Sequence, residues 1–318
     1  MPTKQWVDAA LKAYGLTSGV VVSPTSQGDD NESLFVSRAD ERFVLRRYGV
    51  TPAEEVQFEL DAIDYLGSVG FPTPRLIRTP EGKRALDVEG ASVVLFDFVS
   101  GSPISDDDSE SGPAVARLAA RMHKLTAGQT FGGRRSRTDL YRIGAFTFAC
   151  QEDPLLRAKP GAERFAEHGR ALLAEAPEVF TPDLPRGLIH HDMHSENVLV
   201  EPHGEIVGLI DFDESYSGPF VLDIAGLLHS WARGADFGYD IGAARRTLAA
   251  YREVRNITTA EQRALGFALR VFHAADASEY ILRNYRHRPA TFDLGECHSL
   301  AGYYKITGGT DWLANLED

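Results

Sequence analysis

Apolar and polar positions follow two regimes along the chain. Residues 6–14 place apolar side chains at helical spacing and stop at Gly15, which predicts a short amphipathic helix. Gly19–Ser23, Ser33–Ser37 and Arg42–Tyr48 are short, apolar, β-branched runs bounded by turn residues, and predict three strands. The links through Pro24–Glu32 and Ala39–Asp40 are too short for crossover helices, so the strands form an antiparallel meander. A helix opens at Thr51–Glu54, with Thr51 as N-cap and Pro52 in first position, and runs to Val69 before Gly70. Phe71–Pro74 is extended, and two more strands follow near Arg84–Val88 and Ser92–Phe98.

Beyond this point the period turns helical. Gly101–Gly112 is a polar break with Asp106, Asp107 and Asp108 in it, and it marks the expected boundary of two lobes, 1–99 and 100–318. Val115, Leu118, Ala119 and Met122 mark a helix over Pro113–Leu125. Further helices are expected at Glu163–Ala174 (with Gly169 inside), Leu222–Ala232, Ile241–Arg252 and Thr259–Asn284. Three apolar runs read as strands among them: Gly187–His190, Val198–Val200 and Val207–Ile210.

Composition narrows the function classes. With 318 residues and 43% hydrophobic content, the chain can build a large core without disulfide or metal staples. Cys150 and Cys297 lie far apart and form no CxxC, the pattern of reduced cytoplasmic thiols. Residues 1–10 lack the apolar stretch of a signal peptide, and no window is apolar enough for a membrane span, so no membrane partner is expected. A net charge of −13 disfavours nucleic acid as a partner and is compatible with a cationic substrate. Lysine is confined to Lys4, Lys12, Lys83, Lys124, Lys159 and Lys305, so arginine supplies most of the positive charge.

The chemistry concentrates in Gly187–Asp223. Here a strand leads into a loop with Asp192 and Asn197, and a hairpin turning at His203–Gly204 returns to Asp211-Phe212-Asp213. Phosphoryl transfer needs a carboxylate facing the attacking hydroxyl, and hard oxygen ligands that hold Mg²⁺ against phosphate. Asp192 suits the first role, and Asn197 with Asp211 the second. The order H-x-D-x-x-x-x-N, strand pair, D-F-x is the spacing of kinase catalytic and metal loops.

The segment resembles the aminoglycoside phosphotransferase/choline kinase superfamily through His190, Asp192, His194, Asn197, Ile210, Asp211 and Phe212. Leu222-Asp223-Ile224-Ala225 matches the motif whose buried aspartate braces the catalytic loop, and His191 departs from the usual glycine. The resemblance implies a two-lobed α+β, protein-kinase-like fold. Its small lobe holds an antiparallel sheet and one helix, and its larger lobe is helical. It also implies ATP or GTP with Mg²⁺ as cofactors and a small-molecule hydroxyl as acceptor. Arg46 stands where a phosphate-contacting lysine is usual, and Glu59 matches the helix glutamate that pairs with it. Phe96, Asp97, Phe98 and Val99 resemble the purine-binding hinge. Gly28–Ser33 occupies the place of the phosphate-covering loop, with Asn31 and Ser33 as its candidate contacts. Tyr251–Arg255 and Thr258–Glu261 are similar to the bacterial homoserine-kinase branch.

His190 is assigned to structural support. Asp213, His229, Trp231, Asp276 and Tyr280 are candidates for the acceptor pocket, and the acceptor is a sugar, an antibiotic hydroxyl, or an amino alcohol such as homoserine or choline. Two alternatives stay open: a metal-dependent hydrolase built on His190, His191, Asp192 and His194, and a pseudokinase that binds nucleotide without turnover. A protein kinase is disfavoured, because Phe212–Leu222 is too short for an activation segment.

Overall fold

The structure is a computed structural model that describes residues 5–25, 31–49, 51–105, 108–133, 135, 137–234 and 237–308. Gly28–Asp30 of the expected phosphate-covering loop and Asp106–Asp107 of the acidic break lie outside the described residues.

The chain divides into two compact units. The first comprises residues 1–104, 131–135 and 196–213. It opens with α1 (Gln5–Ala13), whose Trp6, Val7, Ala10 and Leu11 pack with Val36, Leu45, Val93 and Leu95 of the sheet. Strands β1 (Val20–Pro24), β2 (Glu32–Arg38) and β3 (Glu41–Tyr48) form the antiparallel meander expected from the short links. Helix α2 (Ala53–Ser68) follows. Its N-cap is Pro52 and no side chain caps it, so Thr51 does not play the expected role. Thr51 instead directs its hydroxyl to Asn31 Oδ1 at 3.5 Å.

Three short strands complete the sheet: β4 (Leu76–Ile77), β5 (Leu86–Val88) and β6 (Ala91–Asp97). The order is β1-β2-β3-β6-β4, with β5 also paired to β6. A second sheet joins β7 (Ser102–Pro103), β9 (Val198–Val200) and β10 (Ile206–Leu209). The pairing of β7 with β9 draws 196–213 into this unit, so a single cut at residue 99 does not describe it. A two-residue pairing of strands far apart in sequence leaves no periodic signal. Residues 131–133 and 135 lie against α2. Phe131 meets Phe58 and Tyr65 edge-on, and the Gly132 N–H donates to Asp61 at 2.7 Å. Gly133, at φ +73, approaches so closely that a Cβ would lie 2.1 Å from the Glu54 carbonyl oxygen.

The second unit comprises residues 105–130, 136–195 and 214–318. Its helices are α3 (Gly112–Thr126), α4 (Asp139–Glu152), α5 (Pro154–Arg157), α6 (Ala162–Val179), α7 (Val221–Trp231), α8 (Ile241–Val254), α9 (Thr259–His287) and α10 (His298–Thr307). Helix α3 packs on α8, and α9 packs on α4, α7 and α10. Strand β8 (Arg186–Ile189) pairs with β11 (Tyr216–Pro219), which makes a short ribbon leading into the 190–194 loop. The expected strand at Gly187–His190 is this β8. Helices α4, α5 and α10 carry no clean period, since Tyr141, Phe148 and Leu155 are exposed while Asp139, Arg142 and Ser299 are buried, and β11 is only four residues long.

No described helix is long and apolar enough to cross a membrane.

Gly133→Ala combines left-handed strain, about 1–2 kcal/mol, with a backbone clash of the kind that costs about 1–3 kcal/mol. A loss of about 2–5 kcal/mol in urea unfolding is expected.

Candidate active site

The first unit carries a charged cluster at the open end of the β9–β10 hairpin. Val198 pairs with Leu209, and the Ile210 N–H donates to the Asn197 carbonyl at 3.0 Å. Asn197 and Asp211 therefore flank the same end of one hairpin. Asp211 takes φ +63, a conformation that aspartate tolerates better than most residues. Arg46, on β3, reaches Asp211 Oδ1 at 2.8 Å through Nη1 and Asp213 Oδ2 at 2.7 Å through Nη2. Asn31 Nδ2 donates to the same Asp213 carboxylate at 3.1 Å. Ser33 lies opposite Arg46 in the β2–β3 register.

Glu59 does not take Arg46 as its direct partner. It accepts from the Tyr48 hydroxyl at 2.7 Å and from Arg135 Nη2 at 3.1 Å. Arg135, which also pairs with Glu55, stands in the place expected for Arg46. Burial pushes the Glu59 carboxyl above its ordinary range, against the pull of Arg46 and Arg135. The physical reason for the exchange is competition: two carboxylates next to the hairpin occupy both arms of the Arg46 guanidinium.

Asp213 is pushed up to about 7, first by burial and then by the charge of Asp211. Two carboxylates here share one guanidinium, so the cluster has more negative charge than its own residues neutralise. With Asn197 at the same hairpin end, these residues offer the hard oxygen donors that Mg²⁺ takes.

The expected hinge is partly closed by the sheet itself. The Asp97 N–H donates to the Arg75 carbonyl at 2.8 Å and the Phe98 N–H to the Arg42 carbonyl at 3.1 Å. Asp97 also binds Arg75 through its side chain. These two amides are taken, and Phe96 is buried within β6. Val99 lies against Gly208, where a Cβ would approach within 2.7 Å, and among the described residues its main chain has no partner. The Phe98 ring, between the Arg42 guanidinium at 3.7 Å and an edge-on Phe35 at 5.8 Å, is an apolar surface of suitable size for a base.

In the second unit, Asp223 organises the loop that bears Asp192. Its carboxylate accepts the main-chain N–H of His190 at 2.8 Å and of His191 at 2.7 Å. It also accepts His123 Nε2–H at 2.9 Å, and His123 Nδ1 takes the Tyr251 hydroxyl at 2.6 Å. Arg255 donates to that hydroxyl at 2.9 Å and pairs with Glu261. Burial lowers the His123 pKa, so a neutral ring with its proton on Nε2 fits both contacts. The segments at Tyr251–Arg255 and Thr258–Glu261 are thus structural supports, and Thr258 and Glu261 form a capping box on α9.

His190 is buried, and its Nδ1 accepts the Asp192 N–H at 3.2 Å. His194 Nε2 lies 3.3 Å from the Asp192 carboxylate. Burial raises the Asp192 carboxyl, but the hydrogen bond and charge of His194, with His190 and His191, hold it at about 2. Trp231 is not available to an acceptor, since its Nε1–H donates to the Met193 carbonyl at 2.7 Å and so anchors the loop. Asp276 receives the Ser299 hydroxyl, and Tyr280 lies near Phe292 with ring centroids 6.3 Å apart.

His229 and His273 meet at 3.4 Å, with the Tyr239 hydroxyl 2.8 Å from His273. Both rings are held at about 3 by burial, His229 also by Arg233 and His273 also by His229.

His191 sits at φ +73, the conformation glycine usually supplies. Its ring is tied down: Nε2 lies 2.6 Å from Asp139 Oδ1, Arg142 Nη1 is 3.2 Å from Nδ1, and Phe272 packs at 4.9 Å. Asp139 also receives the Tyr216 hydroxyl, and His191 with Arg142 holds its buried carboxyl below the ordinary range. Asp139, Arg142, Arg135 and Tyr48 were not legible in the sequence, which does not mark which charged residues are buried. Of the four residues proposed for a transition metal, His191 turns away to Asp139 and Arg142, while His190 and His194 contact Asp192. Among the described residues, no group of His, Cys, Asp and Glu converges as a metal site.

A model of the phosphotransferase enzyme family matches residues 21–257. The chain belongs to this family. The homoserine kinase of Pseudomonas aeruginosa is 30% identical over 262 residues, which is 80% of this chain and 78% of that protein. A solved amicoumacin kinase, in complex with AMP-PNP and Ca²⁺, aligns with a TM-score of 0.71 at 16% identity, over 90% of this chain and 88% of that one. A microcompartment-associated aminopropanol kinase aligns with a TM-score of 0.66 at 18% identity, over 98% of each chain. The fold is therefore the expected protein-kinase-like one, and the family member is a kinase of a small-molecule alcohol.

Two stability predictions follow from the histidines. His191→Gly relieves about 1–2 kcal/mol of left-handed strain but removes one partner of a buried pair, which costs about 3–5 kcal/mol. A net loss of about 2 kcal/mol in urea unfolding is expected. For His229 and His273, the unfolded chain binds protons below about pH 6.5 that the native pair refuses until about pH 3. Their contribution is complete above about pH 6.5 and is lost as pH falls toward 3. His273→Gln should flatten the decline of the urea midpoint on acidification.

Proposed function

We propose that this family member transfers the terminal phosphoryl group of ATP or GTP to the hydroxyl of a small amino alcohol, with homoserine the first candidate. The observation that carries this reading is the β9–β10 hairpin, which sets Asn197 and Asp211 side by side with Arg46 on the same carboxylate cluster. The homoserine kinase of Pseudomonas aeruginosa, similar over most of the chain, supports the acceptor class.

Each residue has a role set by its chemistry. Asn197 and Asp211 would hold Mg²⁺, which supplies charge neutralisation at the phosphates. Arg46 can pass one arm from the aspartates to phosphate oxygens, for which its planar fork is suited. Asn31 and Ser33 belong to the strand end beside it, and the ring of Phe98 with the main chain of Val99 offers the purine a surface. Glu59, Tyr48 and Arg135 hold α2 and the 131–135 segment to β3.

Asp192 accepts the proton of the acceptor hydroxyl. A carboxylate at about 2 is a weak base, so its contribution is mainly orientation of the hydroxyl. That suits a reaction in which little bond formation to the nucleophile precedes loss of the leaving group. Asp223, His190 and Trp231 act through Asp192 by fixing the main chain on either side of it.

Asp192→Ala should lower phosphoryl transfer by about 100- to 10,000-fold while nucleotide affinity is retained. Product mass after incubation with ATP or GTP and a panel of homoserine, choline and an aminoglycoside provides the measurement. Turnover at the wild-type rate in this variant would refute the assignment.

A further inference from the structure

Arg142 on α4 is a buried cation of the second unit. Its side chain is only 6% exposed, yet it lies among three carboxylates of its own unit. Glu214 and Glu279 pair with it, the latter with Nε–Oε2 at 2.6 Å, and Asp139 is linked to it through His191. Nη2 is in tight contact with Glu214, whereas the Nε contact with Glu279 is off hydrogen-bond alignment. Nε and Nη2 form one edge of the guanidinium, the edge whose parallel N–H groups match a carboxylate. Glu214 and Glu279 are 24% and 29% exposed, so solvent and small molecules reach them. His191 places the Arg142 guanidinium against the residue that immediately precedes Asp192.

We propose that Arg142 reads a carboxylate on the acceptor, while Glu214 and Glu279 read the ammonium group beside it. The inference rests on the kinase reading above and narrows its acceptor to a zwitterion. Charge bookkeeping favours that class. An acceptor with only a carboxylate adds a negative charge to a cluster already in excess of acid. A zwitterion exchanges partners instead: its carboxylate takes the Nε/Nη2 edge, and the two glutamates released from Arg142 take the ammonium. No charge is left buried without a counter-charge, and Nε gains an aligned acceptor.

Three acceptors of matched length separate the groups: homoserine, 3-amino-1-propanol, which lacks only the carboxylate, and 4-hydroxybutyrate, which lacks only the amine. A site whose buried polar groups are left unpaired rejects the deficient analogue strongly. The wild type should therefore prefer homoserine to each analogue by about 100-fold or more in kcat/KM. Arg142→Lys keeps the charge and removes the fork, and Arg142→Met removes both. Each should cut the homoserine preference over 3-amino-1-propanol by about 10-fold or more, with nucleotide affinity and melting temperature reporting intact folding. Glu279→Gln should weaken homoserine and leave 4-hydroxybutyrate within a few-fold.

Equal wild-type use of homoserine and 3-amino-1-propanol would overturn the inference and leave the kinase reading intact. So would a uniform loss on all three acceptors in both Arg142 variants, which marks a structural role. Calorimetric titration of homoserine and 3-amino-1-propanol into the wild type reads the carboxylate without turnover. Selective homoserine binding without transfer would support the inference and sink the kinase reading.

Discussion

The carboxylate of Asp223 receives the main-chain N–H groups of His190 and His191 and the ring N–H of His123, all inside the helical core. Three donors hold the carboxyl ionised despite burial, which alone would drive it neutral. Around that charge the loop takes its shape. Two consecutive amides pointing at one carboxylate force His191 into the left-handed region, and the turn that follows presents Asp192. The support continues through His123, Tyr251, Arg255 and Glu261, so helices α3, α8 and α9 all bear on the position of one loop. Donor and acceptor alternate from Asp223 through His123 and Tyr251 to Arg255, and the chain ends in an ion pair with Glu261.

The charged cluster of the first unit is built on a different principle. Asp211 and Asp213 crowd a single guanidinium, and burial, with the charge of Asp211 added to it, raises the pKa of Asp213. Such a cluster is poised to accept positive charge. The histidine loop of the other unit is arranged in the opposite sense, with neighbouring histidines keeping Asp192 ionised. One set of acids therefore calls for a cation, while the other is kept ready as a hydrogen-bond acceptor. This division of labour fits phosphoryl transfer, where positioning and charge stabilisation do most of the work.

Substituting arginine for lysine at position 46 has consequences for its neighbours. A lysine presents one point of charge, whereas Arg46 has two arms, and both are occupied by the aspartates. The α2 glutamate then needs another cation, and Arg135 supplies it from a distant segment held close by Gly132 and Gly133. The Arg-rich composition of the chain thus changes local pairing without changing the architecture.

The sequence by itself determined the broad architecture and the family motif that runs from His190 to Asp223. Helical and strand periods reflect which face of each element is buried, and that survives into the fold for α1–α3, α6–α9 and the main strands. The spacing of Asp192, Asn197 and Asp211 is local, since a loop, a hairpin and a strand end lie within one short segment. Partnership between distant charges was not legible. Arg46 with Asp211, Glu59 with Arg135, His191 with Asp139 and Trp231 with Met193 join residues 38 to 165 positions apart. A charged side chain carries no sequence mark of its burial, because burial is decided by what packs over it. Only the tertiary structure chose these pairs, by competition among the donors and acceptors that folding brought within reach.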